Sequence, residues 1–163
     1  MDSAYGTDLW DHVKEAGAPY EIRPGTPNYI ERLESGLLSY GADTDAESNP
    51  FELGLDRFID LEQSVDFIGK QALSRIRDQG VSRLFKGVFL DGPKLSMINE
   101  DRWRITHRGR DAGYVSAAAF SPRLESNIAV GMIATDVVQS GEPFEVKCED
   151  CVRSGIAVDL PLI

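Results

Sequence analysis

Two kinds of hydrophobic spacing share this chain, and the change between them falls near Arg83. Ahead of it apolar residues recur at helical intervals. Leu9, Trp10 and Val13 fall on one face of a predicted helix over Thr7–Ala16, with Thr7 or Asp8 as its cap and Gly17 as its stop. In YIERLESGLLSYG, Ile30, Leu33 and Leu37 form a second stripe. Asn28, after Pro27, is placed to cap its first turn, and Gly36 and Gly41 to punctuate its end. A further helix is expected from about Ile68 to Asp78, ended by Gly80. Between these, ADTDAESNP (Ala42 to Pro50) is polar and reads as a surface loop, and PFELGLDRFIDL reads as extended structure around Gly54.

Beyond Arg83 the runs shorten to LFKGVFLD, RWRIT, AGYVSAAAF, NIAVGMIA, PFEVKC and SGIAVDLPLI, separated by Gly, Pro, Asn and Asp. That is the pattern of a small all-β barrel or sandwich. The expected class is α+β, with helical segments in residues 1–82 and strands in 83–163. One residue stands out against this pattern: Glu34 lies a turn beyond Ile30, at the border of the apolar stripe, where a carboxylate needs a partner. From the residues alone, an ion pair with Arg32 or Arg23, or plain exposure, fits Glu34 better than a ligand role does.

Composition narrows the function classes. With 163 residues and 42% hydrophobic content the chain can pack one ordinary core or two small ones. A net charge of -10 repels phosphate backbones, so nucleic acid is not an expected partner. The densest basic stretch, DRWRITHRGRD, alternates as a half-buried strand with Arg102 and Arg104 turned to water. No apolar run approaches the roughly 20 residues of a membrane helix, and MDSAYGTDLWDH has no basic start or apolar core. The expectation is therefore a cytoplasmic protein without a membrane partner. Cys148 and Cys151 are too few for a disulfide framework. With Glu149 and Asp150 between them they read as filler at a hairpin turn, and no metal site is expected there or at His12 and His107.

RLESGLLSYGADTD, NPFELGLDRFIDL and DFIGKQAL occur in that order, followed by AGYVSAAAFSPRLESNIAVGMI, GEPFEV and LPLI. Together they closely resemble the folate-dependent T-protein (aminomethyltransferase) family of the glycine cleavage system. Within it, they look most like the branch of tetrahydrofolate-dependent dimethylsulfoniopropionate demethylase and aromatic O-demethylases. The resemblance covers nearly the whole chain. It implies that residues 1–82 are the end of a ferredoxin-like α+β folate-binding domain and residues 83–163 the family's carboxy-terminal antiparallel β-barrel. It implies a transferase that uses tetrahydrofolate and a small-molecule methyl or aminomethyl donor. By the same resemblance the chain is a carboxy-terminal fragment, inactive alone, whose missing amino-terminal region carries the family's catalytic aspartate, so no catalytic residue is assigned within it.

The resemblance also assigns binding residues. Glu34 matches the glutamate of the family's RLE-G motif, which holds the pterin: a ring N–H beside an amino group offers two parallel donors to one carboxylate. Tyr40 and Gly41 match a YG turn near that ring, and Pro50 and Glu52 match a TPxE-like segment in which Gly54 lets the chain pass closely. The arginine that the family places before its xDFxGK-like segment falls on Gln63, whose neutral amide supplies no fixed positive fork. This departure favours a demethylase over the glycine-cleavage reaction and leaves Arg57 as the nearby substitute.

Overall fold

A computed structural model of the chain describes residues 5–23, 25, 28–99, 101–149 and 151–163. Pro27 and Asp150, placed above at a helix start and a hairpin turn, lie outside them. The first helix, α1 (Gly6–Gly17), starts from Tyr5 without a side-chain cap, so Thr7 and Asp8 lie inside its first turn. There Asp8 faces the positive end of the helix dipole. Leu9, Trp10 and Val13 leave its apolar face about half exposed.

The second helix, α2 (Tyr29–Glu34), begins where expected, with the Asn28 side chain accepting the Ile30 N–H at 2.9 Å. It is only 6 residues long. Gly36, at φ 68°, turns the backbone left-handed; Leu37 N–H then bonds Arg32 O at 3.0 Å and Gly36 N–H bonds Leu33 O at 3.1 Å. This Schellman closure ends the helix before Leu37, which is exposed and does not extend the stripe of Ile30 and Leu33. Farther on, α3 (Lys70–Gln79) starts two residues later than its pattern suggested and stops at Gly80.

The intervening segment departs from the sequence expectation twice. Asp43 and Thr44, in the run read as surface loop, are buried. PFELGLDRFIDL is a series of turns with one 3-10 turn at Asp56–Phe58, not extended chain. The Asn49 side chain curls it by accepting the N–H groups of Phe51 and Glu52 at 3.0 and 3.1 Å. Gly54 has φ 68° and open space where a Cβ would stand, so it serves the left-handed turn rather than a close passage.

All six expected β runs form strands: β1 (Arg83–Leu90), β2 (Trp103–His107), β3 (Arg110–Ser121), β4 (Ser126–Ala134), β5 (Phe144–Lys147) and β6 (Val152–Val158). A short helix, α4 (Thr135–Ser140), joins β4 to β5. The strands close a wholly antiparallel barrel in the order β1-β4-β3-β2-β5-β6, with β6 returning to β1. The chain is thus α+β, as its pattern implied. Val88, Ile105, Val115, Ala118, Ile133 and Val146 fill the interior. Ala117, Ala119, Ile128, Val130 and Met132 face outward and pack with Leu33 of α2. A bulge at Ser116 makes both possible, because the extra residue resets the alternation between Val115 and Ala117. No helix among the described residues is long and apolar enough to cross a membrane.

Strands β3 and β4 approach so closely that a Cβ on Gly131 would stand 2.2 Å from Tyr114 O. Gly131→Ala is therefore expected to lower stability by about 2 kcal/mol or more in urea unfolding, while Gly6→Ala, in open space, stays within about 0.5 kcal/mol of the parent. Equal stability of the two variants would contradict this packing.

Candidate functional site

Small residues on the outer face of β3 let α2 settle against the barrel. Ala117, Ala119 and Ser121 project to that side, and α2 delivers Leu33 and Glu34 onto them. Glu34 is only 3% exposed. Its Oε1 accepts the Ser121 hydroxyl at 2.5 Å. The direction of that hydroxyl is fixed, because Ser121 Oγ itself accepts the Leu124 N–H at 3.0 Å and its one proton is left for the carboxylate. From the other side, Leu162 N–H donates to the Glu34 carbonyl at 2.8 Å. The ion pair with Arg32 weighed from the sequence does not form.

Arg32 instead serves a second buried carboxylate that the sequence reading missed. Asp43 is fully buried: Oδ2 accepts from Arg32 Nη1 at 2.5 Å and Ser39 N–H at 2.8 Å, and Oδ1 accepts from the Ser116 hydroxyl at 2.6 Å. The bulge residue thus meets the loop acid. The one signal in the sequence was position, since Asp43 sits two residues past Gly41 within the motif that also supplies Glu34.

The other expected site residues are not gathered around Glu34. Tyr40 is 77% exposed in a tight turn where Gly41 N–H donates to Thr44 O at 2.7 Å. Arg57 is exposed and lies over the ring of its neighbour Phe58 at 4.7 Å. Neither bonds to Glu34 among the described residues. Glu52 is buried and committed, accepting from Arg83 Nε at 2.9 Å and Asn49 N–H at 3.0 Å, while its carbonyl accepts from Phe85 N–H at 2.7 Å. It braces the loop against β1. Gln63 is exposed, and its carbonyl accepts from Lys70 Nζ at 2.5 Å.

A cleft of about 370 Å³ opens where α2 meets the barrel. Tyr29 and Ile30 of α2, Ala119 and Phe120 of β3, Pro122 and the segment from Lys94 to Ile98 form its walls. Glu34 does not line it; Ser121, which bonds Glu34, lies between the lining residues Phe120 and Pro122. The link from the carboxylate to this aromatic slot runs through Ser121 and its two neighbours in β3 and the turn after it. Two buried asparagines hold the 94–98 wall: Asn127 accepts from Leu95 N–H at 2.8 Å, and Asn99 accepts from Ala118 N–H at 2.6 Å. The Lys94 ammonium stands 4.4 Å from the centre of the Phe120 ring. Burial, partly offset by Arg32, raises the Tyr29 phenol above its ordinary range, so it stays a neutral donor at the rim.

Removing a partner from a buried ion pair strands the other charge. Asp43→Ala is accordingly expected to destabilise the chain by about 3 kcal/mol in urea unfolding, with Arg32 left unpaired. A loss under about 1 kcal/mol would show that the buried pair does not hold the loop.

Comparison with known proteins connects these features. The family model described as GCVT N-terminal domain matches residues 1–63, and that described as glycine cleavage T-protein C-terminal barrel domain matches residues 84–163. The dimethylsulfoniopropionate demethylase of Ruegeria pomeroyi is 37% identical over 151 residues, covering 93% of this chain and 40% of the demethylase. The aminomethyltransferase of Synechococcus sp. (strain RCC307) is 30% identical over 162 residues, covering 99% of this chain and 44% of that protein. The crystal structure of glycine cleavage system aminomethyltransferase T from Bartonella henselae superposes with a TM-score of 0.73 at 19% identity, over 83% of this chain and 37% of that one, a likeness of fold. The chain spans about two fifths of the length of the curated relatives it matches.

Proposed function

The chain belongs to the glycine cleavage T-protein family, and from that membership we propose that it supplies the pterin-holding carboxylate and barrel wall of a tetrahydrofolate-dependent one-carbon transferase. The observation that carries this reading is the placement of Glu34. Its carboxylate is withdrawn from bulk solvent and anchored through one oxygen by Ser121, a residue that sits in sequence between Phe120 and Pro122, which line the cleft shared by α2 and the barrel.

The donor set suits such a cofactor. A carboxylate offers about four lone-pair sites and Ser121 uses one, so Glu34 keeps capacity for two parallel N–H donors. Tyr29 and Phe120 give the cleft the aromatic faces that a flat ring requires. Bound tetrahydrofolate would supply N5 as the acceptor of the one-carbon unit. The chain's own residues orient and enclose: Glu34 fixes the ring edge, and the barrel face and 94–98 segment exclude water. Rate then comes from positioning rather than from a covalent enzyme intermediate. Tyr40 and Arg57 are proposed as outer contacts to the same cofactor, since both present exposed side chains.

A demethylase that passes a methyl group from a small methylated donor is preferred within this class. Gln63 at the family's arginine position supports it, and so does the 37% identity to the demethylase against 30% to the aminomethyltransferase above. Complete activity is proposed to need the parts of the relatives that lie outside the matched two fifths, and the donor pocket with them.

A chimera that joins this chain to the unmatched portion of the Ruegeria demethylase tests the reading by titration with tetrahydrofolate. Glu34→Gln keeps an amide oxygen for Ser121 but removes the charge, so it is expected to weaken binding at least about tenfold while shifting the melting temperature little. Unchanged affinity would contradict the assignment of Glu34.

A further inference from the structure

Cys148 and Cys151 face each other at the end of the β5–β6 hairpin, where Cys148 N–H donates to Cys151 O at 2.9 Å. The ladder ends at the pair Lys147 and Val152, and one further step in that register opposes Cys148 to Cys151. Directly opposed residues at such hydrogen-bonded positions have Cα atoms about 5.5 Å apart and side chains on one face of the sheet. That separation falls inside the roughly 4.4–6.8 Å that a disulfide spans. Both cysteines are free. Their surroundings are unequal: Cys148 is packed in the barrel core with its thiol directed at Val146 O, whereas Cys151 is exposed.

We propose that this hairpin end is a reversible dithiol–disulfide site that exchanges with small-molecule disulfides of the glutathione type. The exposed Cys151 thiolate attacks one sulfur of the small disulfide, forming a mixed disulfide and expelling one thiolate. Cys148 then gives its proton to water, its sulfur attacks Cys151 Sγ, and the second small thiolate leaves. Two protein thiols are oxidised and one small disulfide is reduced to two thiols. Burial, and after it the adjacent Cys151 thiol, push Cys148 up to about 11, so Cys151 is the entry point and Cys148 the resolving group.

The ring this closes contains Glu149, which with Arg153 and the segment from Pro93 to Ile98 lines a further cavity. Two residues on, Arg153 Nη1 holds the carbonyls of Asp91 and Pro93 at 2.7 and 2.8 Å, at the root of the 94–98 wall. Oxidation thus stiffens the strand end from which that wall hangs. The segment resembled plain turn filler in sequence because burial of one thiol and exposure of the other appear only once the barrel closes.

Intact-mass measurement of the folded chain in oxidised glutathione tests the site. The parent is expected to convert to a species lacking two hydrogens, resistant to alkylation and restored by dithiothreitol. Cys148→Ser is expected to retain one glutathionyl group, and Cys151→Ser to remain unmodified. Resolution of the parent's mixed disulfide should quicken about tenfold per pH unit between about pH 7 and 9, as the buried thiol ionises. A parent that stays a dithiol, a parent that keeps its glutathionyl group, or a Cys151→Ser variant modified as readily as the parent would each overturn the proposal.

Discussion

Two carboxylates buried between the early segments and the barrel set the architecture of this chain. Glu34 and Asp43 lie on chain that precedes β1, and each receives a hydroxyl from β3, Ser121 for the first and Ser116 for the second. A buried carboxylate without partners is expensive, so these bonds work as a register: the segment docks where both acids are satisfied and nowhere else nearby. A helix of 6 residues has little stability of its own, and α2 persists because Leu33 and Glu34 are held against the sheet.

That register also separates the roles of neighbouring acids. Glu52 is spent on Arg83 and the Asn49 backbone, and Asp43 on Arg32, Ser39 and Ser116. Glu34, whose carboxylate has one hydrogen-bond partner among the described residues, is the acid with acceptor capacity left over, and that partner, Ser121, is flanked in sequence by two residues that line the cleft. The tail completes the arrangement. Leu160 and Leu162 pack over Gly87 of β1, and Leu162 bonds the Glu34 carbonyl, so the end of the chain clamps the end of α2. Positioning by a rigid sheet suits the orienting role proposed for Glu34.

What could be read from the sequence follows the range of the interactions. Alternating burial made the six strands legible, and Asn28 and Gly80 marked helix ends because caps act over two to four residues. The motifs around Glu34 revealed the family. Asp43 was hidden, since an acid in a polar run looks solvated until Ser116, 73 positions away, is brought to it by a bulge. Leu37 misled for the opposite reason: its spacing fits the stripe, but the closure at Gly36 turns the chain first. The loop from Phe51 was likewise decided by Asn49, a side-chain-to-backbone preference stronger than the apolar content that suggested a strand.

The most direct measurement of the central interaction is a double-mutant cycle on unfolding free energy with Glu34→Ala, Ser121→Ala and the double variant. A charge-assisted buried hydrogen bond should give a coupling of about 1.5 to 3 kcal/mol, against less than about 0.5 kcal/mol for the exposed pair Arg77 and Glu62 treated the same way. Strictly additive effects at Glu34 and Ser121 would mean that the barrel does not hold this carboxylate.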